Sequence, residues 1–339
     1  MNTGSIAVGP VESGIGYFLL LIGVGVNTAF IPLHSWLPDS YPKATIAGAV
    51  FMCVFTTKTG VYVLARTFPG VEAVAYMGGV MCLYGVAFAL MQNDVRKLLS
   101  YHIVSQVGYM VAGIGIGTYI GINGGIAHVF NHILYKALLF MCMGAVIYST
   151  GRHNLTELGG LAKKMPITMI TCMIAAFSIS GVPGFNGYVS KGMVIHAAEL
   201  EGMHILVLML LLGSVGTFLS FLKLTYFTFF KKNDEIEAKE APLPMLIAMS
   251  AVAFLCVAIG VYPKMLYGIL PYAGEALHYH AYAFGHTIGT LELLMMTAVG
   301  FLALQFVFSP HDRITYDIDY LYRKAGRGFI WFCEQPLVT

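Results

Sequence analysis

Four lysines stand inside long apolar runs: Lys58, Lys136, Lys191 and Lys223. An ammonium at the centre of a hydrophobic crossing costs about 2.5–3.5 kcal/mol or more, so it persists where function or a partner retains it. Two histidines join one of the lysines. His128, His132 and Lys136 are spaced i, i+4, i+8, which lays them along one stripe of a single helix, each about 6 Å from the next. An imidazole exchanges protons near neutral pH, and an amine on the same stripe extends the row, so the chemistry offered is proton relay through intervening waters. The histidine spacing also suits a helical zinc site. The segment reads His-Val-Phe-Asn-His, without the glutamate of His-Glu-x-x-His, and no metal is expected.

Lys191 follows directly on a run containing Ser180, Gly181, Pro183, Gly184 and Gly187. Such a run interrupts a helix and frees backbone groups, which a membrane tolerates only where protein or a water-filled cavity satisfies them. An interrupted helix lets Lys191 exchange a proton with solvent. His102, Ser105 and Gln106 are accessory candidates on a neighbouring segment, with ordinary interhelical hydrogen bonding as the equal alternative. Lys223 lies about two turns from the end of its run and can either snorkel as a bystander or join the path. No Asp or Glu stands in the middle of any apolar run. A counter-charge for Lys58 must therefore come from another chain, unless the lysine rests neutral.

The elements that must hold these residues are apolar segments of about 20 residues, the length that crosses a bilayer. Nine are read: 15–32, 44–65, 72–91, 98–118, 122–149, 166–199, 204–230, 242–262 and 286–308. The sixth is long enough to be a discontinuous helix around the Ser180–Gly187 run. The chain thus divides into an outer segment 1–14, a transmembrane domain 15–308 and a tail 309–339. The connecting loops sort by charge. Alternate loops and the tail hold thirteen Lys and Arg, while the other side holds only Arg66 and Lys264. That asymmetry puts the N-terminus outside and the C-terminus inside. Aromatic and basic residues alternate in the tail, among them Tyr316, Tyr320, Arg323 and Trp331, as in an amphipathic helix on the inner membrane surface.

Composition agrees. Hydrophobic residues make up 58% and charged residues 11%, against about 25% charged in soluble domains. A net charge of +2 gives no reason to expect nucleic-acid binding. The six cysteines form no Cys-x-x-Cys pair, and five fall in apolar runs, so neither a metal nor a redox cofactor is expected. The first fourteen residues carry no Lys or Arg, so the basic start of a signal peptide is missing.

Longer stretches carry a family resemblance. Pro32-Leu-His-Ser-Trp-Leu-Pro-Asp-Ser-Tyr-Pro42, Thr57-Lys-Thr-Gly-Val-Tyr-Val-Leu-Ala-Arg66, Asn93-Asp-Val-Arg-Lys-Leu-Leu-Ser-Tyr101 and Ser105-Gln-Val-Gly-Tyr109 resemble the antiporter-like subunits of respiratory complex I and of Mrp-type sodium/proton antiporters. So do the His128, His132, Lys136-Ala-Leu-Leu-Phe stripe, Leu155-Thr-Glu-Leu-Gly-Gly160 and Gly181-Val-Pro-Gly-Phe…Lys191. Leu-Pro-Asp-Ser-Tyr and Asp319-Tyr-Leu-Tyr-Arg323 lean toward the Mrp D-like branch. The resemblance implies an all-α fold of inverted five-helix repeats, each with a discontinuous helix. It implies Lys58 as the central lysine, His128, His132 and Lys136 as the second half-channel, and Lys191 as the terminal proton exchanger.

The chain departs from the family in two ways. The first repeat starts late, so its membrane glutamate is absent, and Asn27 stands where that glutamate's lysine partner is expected. The reading is therefore an ion-translocating subunit of a bacterial or archaeal cytoplasmic membrane, working with other membrane subunits. One of these would supply the missing helices and a carboxylate near Lys58. A split subunit and a member keeping only the second half-channel both fit, as do H⁺ and Na⁺, and respiratory, hydrogenase, antiporter or inorganic-carbon complexes. A non-conducting scaffold that docks a partner antiporter is the alternative. No organic-substrate active site is apparent.

Overall fold

A computed structural model describes residues 14–233, 235–311 and 317–335. The N-terminal segment apart from Gly14, and Arg313 and Tyr316 of the tail, lie outside the described residues. Those described form helices and loops with no named strand; a lone bridge joins Asp94 and Asn154.

Local signals start and stop the helices. Thr45 caps α3 (Ile46–Thr67), Asp94 caps α5 (Val95–Ile116) and Thr118 caps α6 (Tyr119–Thr150), each side chain accepting a backbone N–H two or three residues inside. Gly117 and Gly151 end α5 and α6 at φ of 80° and 68°, where glycine carries no Cβ penalty. α4 is Glu72–Met91. α9 (His204–Thr225) runs into a π-helical turn, Tyr226–Phe230, and is followed by α10 (Leu243–Val261). Two short helices, α11 (Lys264–Tyr267) and α12 (Ala273–Leu277), precede α13 (Phe284–Ala303), and α14 (Asp319–Glu334) forms the tail. Among the described residues, six helices are long and apolar enough to cross a membrane: α3, α4, α6, α9 with its π turn, α10 and α13. Their outward side chains include Phe51, Phe55, Phe254 and Met296, which suits lipid and not water.

Segment 166–199 is two helices, as its glycines and proline suggested. α7 (Pro166–Ser180) begins on proline and stops at Gly181, φ 79°; α8 (Asn186–Leu200) resumes after a five-residue interruption. Segment 15–32 is different from its sequence reading as one span. α1 (Ile15–Asn27) stops early, residues 28–35 form turns, and α2 (Trp36–Ser40) follows. Ala29 there adopts φ 60°, and the buried Thr28 hydroxyl donates to the Val24 carbonyl, so the chain leaves the helix before Pro32.

α5 is the central helix. Nearly all of it is buried, and it is absent from the six long apolar helices although it has 22 residues. Being shielded from lipid by its neighbours, it can carry Ser100, His102, Ser105 and Gln106. It packs closest on α4, and glycines make that approach possible. A Cβ on Gly78 would lie 2.4 Å from Ala112 N, and one on Gly115 would lie 2.2 Å from Ala75 N.

The loops gather at two ends. At one, Val95 N donates to His153 O, Leu155 N to Asn93 O, Ala162 N to Phe229 O, and Arg96 to Pro42 O and Ala44 O. This basic end holds the loops rich in Lys and Arg. At the opposite end, Gly70 N donates to Ile114 O, Asn123 exchanges two hydrogen bonds with Tyr272, and Tyr188 donates to Ala281 O.

Candidate functional site

α6 runs unbroken beside α5 and α8, and its buried stripe carries His128, His132 and Lys136, all fully inaccessible. The imidazole of His128 is held at three points. Nδ1 lies 2.9 Å from Ser190 Oγ on α8, and Nε2 lies 3.2 Å from Gln106 Oε1 on α5 and 3.2 Å from Tyr135 OH. Gln106 in turn donates to Thr217 on α9 at 3.2 Å. The His128 and His132 rings are 6.4 Å apart, and Tyr135 stands edge-on to His132 at 5.3 Å.

The lysines sit differently from one another. Lys136 Nζ is 5.5 Å from the Phe221 ring centroid and 5.9 Å from that of Phe140, while His102 meets the other side of the group with its ring 4.7 Å from Phe221. Lys191 Nζ lies 4.9 Å from the Tyr109 ring centroid. An aromatic face attracts an ammonium without accepting a full hydrogen bond. Lys136 Nζ, Lys191 Nζ and both ring nitrogens of His132 and of His102 find no hydrogen-bond partner among the described protein atoms. Among the described residues, Lys58, on α3 against α6, donates only to its neighbour Thr57, at 3.2 Å. Cys53 is within electrostatic reach of both Lys58 and Lys136. Lys223 stands apart from the stripe. Its ammonium donates to Leu90 O at 2.6 Å and Gln92 O at 3.0 Å, closing the carbonyl end of α4, where a cation is favoured.

The α7–α8 interruption opens the row to one end. Asn131 of α6 donates to Asn186 O at 2.8 Å, tying α6 to the first residue of α8. Beyond it a cavity of about 740 Å³ faces the opposite end, lined by Ser180, Gly181, Lys191, His196 and His286 among others. Sequence reasoning had missed Tyr135, Ser190, Tyr109, Asn131 and Thr217. The first two adjoin Lys136 and Lys191, and Tyr109 closes the quoted Ser105–Tyr109 motif. Thr217 carried no signal.

A family model described as NADH:quinone oxidoreductase/Mrp antiporter, TM, matches residues 4–220, more than half of the chain. The chain belongs to this family. Among NADH:quinone oxidoreductase/Mrp antiporter relatives, the L subunit of the F(420)H(2) dehydrogenase of Methanosarcina mazei is 37% identical over 265 residues, which are 71% of this chain and 39% of that protein. The D subunit of the Na(+)/H(+) antiporter of Alkalihalophilus pseudofirmus is 33% identical over 253 residues, 71% of this chain and 51% of that one. A solved Mrp complex from Dietzia sp. DQ12-45-1b shares the fold with a TM-score of 0.70 at 24% identity, covering 83% of this chain and 61% of its counterpart. The membrane-bound sulfane sulfur reductase, an archaeal respiratory membrane complex, also gives 0.70, at 28% identity over 89% of this chain and 54% of its counterpart. The chain thus spans about two-fifths to one-half of the curated relatives' length. It is an integral membrane protein of the antiporter-like family.

Proposed function

We propose that the chain is a proton-translocating membrane subunit of a multisubunit complex. Protons pass along Lys58, Lys136, His132 and His128 to Lys191, with His102, Ser105 and Gln106 lining the path and Lys223 anchoring α4. One observation carries this reading. A row of buried amines and imidazoles, several without protein partners, ends at a lysine that lines an open cavity. Buried polar groups are costly unless something satisfies them, and mobile water within such a row meets that need while passing protons. The relatives named above, one from an antiporter and one from a dehydrogenase, support translocation as the activity. The test is ion-coupled pH change in sealed vesicles holding the assembled complex, with Lys136 or Lys191 replaced by alanine; an unchanged signal in both refutes the relay.

The same reading takes the two interrupted stretches, 28–35 and 181–185, as the discontinuous helices of two inverted repeats. Nine crossings then make up a domain over 15–308, flanked by an outer segment 1–14 and an inner-surface tail 309–339. With the basic end facing the cytoplasm, the C-terminus is inside and the N-terminus outside. A cysteine placed in the 152–164 loop should react with a membrane-impermeant maleimide only after cell lysis; labelling of intact cells reverses the orientation.

Lys58 needs a counter-charge. No hydrogen bond links it to a carboxylate among the described residues, and one unpaired buried charge weighs several kcal/mol. Asn27 is exposed at the end of α1, its side chain close to Gly60 of α3, and an exposed amide is poorly placed against lipid. A further helix lying against α1 and α3, carrying Asp or Glu within water-bridging distance of Lys58, answers both. A structure of the purified complex should show it; α1 and α3 facing only lipid in an active complex would refute it.

A further inference from the structure

Away from the relay, one ionisable cluster at the basic end is assembled from four separated parts of the chain. Asp317, just before α14, accepts from His34 Nε2 at 3.1 Å, from Tyr101 OH at 2.6 Å and from Tyr84 OH. His34 is fully buried and the Asp317 side chain is 7% exposed. The imidazole stands edge-on to Tyr84, 4.9 Å between centroids. Tyr84 and Tyr101 lie about two turns from the basic ends of α4 and α5, so the tail carboxylate reaches roughly 10 Å into the bundle. Among the described residues, the other charged groups at this place are Asp39 of α2 and Asp319 and Arg323 of α14. Arg323 bridges both acids, and Tyr322 meets Ser35 beside them.

Burial would raise the Asp317 carboxyl, but the hydrogen bonds from His34, Tyr101 and Tyr84 outweigh it and hold the group below the usual carboxylate range. An ionised carboxylate only accepts, so His34 Nε2 carries the proton that faces it, and the ring's other nitrogen is Nδ1. That Nδ1 is buried and has no hydrogen-bond partner among the described protein atoms. A carboxylate on one ring nitrogen fixes the tautomer and orientation and stabilises the imidazolium formed when the other nitrogen takes a proton. A tail held for anchorage alone would be served by the exposed contacts of Arg323 and Tyr322. It has no need to bury a carboxylate against an imidazole.

We infer that Asp317 is a positioning residue that fixes His34 as a proton acceptor at the basic end, so that this group is formed only while the tail is docked. The inference rests on the proton-translocating reading above and extends it to the tail.

The experiment compares Asp317→Asn, Asp317→Glu and His34→Gln in the assembled complex, in sealed vesicles, against the pH on the basic-end side. Asparagine keeps the size of the side chain and one accepting oxygen, for one of the two tyrosines, and removes the charge. Losing a negative neighbour disfavours the protonated imidazole, so the Asp317→Asn rate profile moves to lower pH by about one unit or more. Asp317→Glu restores the original midpoint, and His34→Gln flattens the profile. An unmoved profile in Asp317→Asn overturns the inference, even if that variant melts earlier, because earlier melting alone is the mark of a tether. If Asp317→Asn does not assemble, a His34→Gln profile identical to the parent's overturns it equally. Lys136→Ala runs alongside: full activity there sinks the relay itself, a result distinct from either outcome at Asp317.

Discussion

Alanine at Lys136 or at Lys191 should abolish ion-coupled activity, by at least about 10²-fold, while the complex still assembles. Both lysines are buried, and neither ammonium has a hydrogen-bond partner among the described protein atoms. Removing such an amine breaks no protein hydrogen bond and relieves a desolvated charge, so assembly is spared. The relay is not spared. A positioned proton-transfer group contributes typically about 10²–10⁴-fold, and alanine leaves a methyl group where the row needs an exchangeable proton. Arginine at either position separates charge from exchange, because a guanidinium keeps the charge and does not release its proton. Lys136→Arg and Lys191→Arg should therefore assemble and stay inactive. The measurement is pH change in sealed vesicles normalised to the amount of assembled complex, and normal rates in both alanine variants would end the proposal.

Gly187→Ala should prevent assembly altogether. Gly187 lies one residue into α8, where α8 crosses α7, and a Cβ there would sit 1.8 Å from Ser178 O and 2.8 Å from Ser178 C. Both are backbone atoms, so no side chain can rotate away. Overpacking a core commonly costs about 1–3 kcal/mol, and a contact this short against main chain lies beyond that range. The two half-helices would part, and with them Asn131 from Asn186 and His128 from Ser190. Gly300→Ala on α13 is the control, because nothing lies within 4 Å of its added Cβ. Size-exclusion and thermal melting of the detergent-solubilised complex read both variants; a normally assembled, normally melting Gly187→Ala complex would contradict the close crossing.

How much of this the sequence disclosed depends on whether the deciding contact was local. The helical stripe of His128, His132 and Lys136 follows from spacing alone, and the α7–α8 interruption from Gly181, Pro183 and Gly184. The interruption at 28–35 was hidden. Its residues Ala29, Phe30 and Ile31 are apolar, and no residue type there announces a left-handed φ at an alanine. Lys223 was left open between snorkelling and transport because its partners, Leu90 O and Gln92 O, are more than 130 residues away in sequence. The pairing of Asp317 with His34 spans 283 positions and carried no local sign at all. Tertiary contacts of that reach are set by how helices pack, not by neighbouring residues.

The polar character of α5 has a consequence for how the protein is made. A translocon sorts each emerging segment by its own hydropathy, and α5 is less apolar than the six long helices around it. Ser100, His102, Ser105 and Gln106 weigh against its entry alone. α4 precedes it directly, and the two helices meet through glycines on both faces, Gly78 and Gly85 of α4 and Gly108 and Gly115 of α5. The two therefore enter the bilayer as a hairpin, already paired. Bulky side chains at those glycines would stop biogenesis at the pairing of α4 with α5, before the later helices can join them in the bilayer.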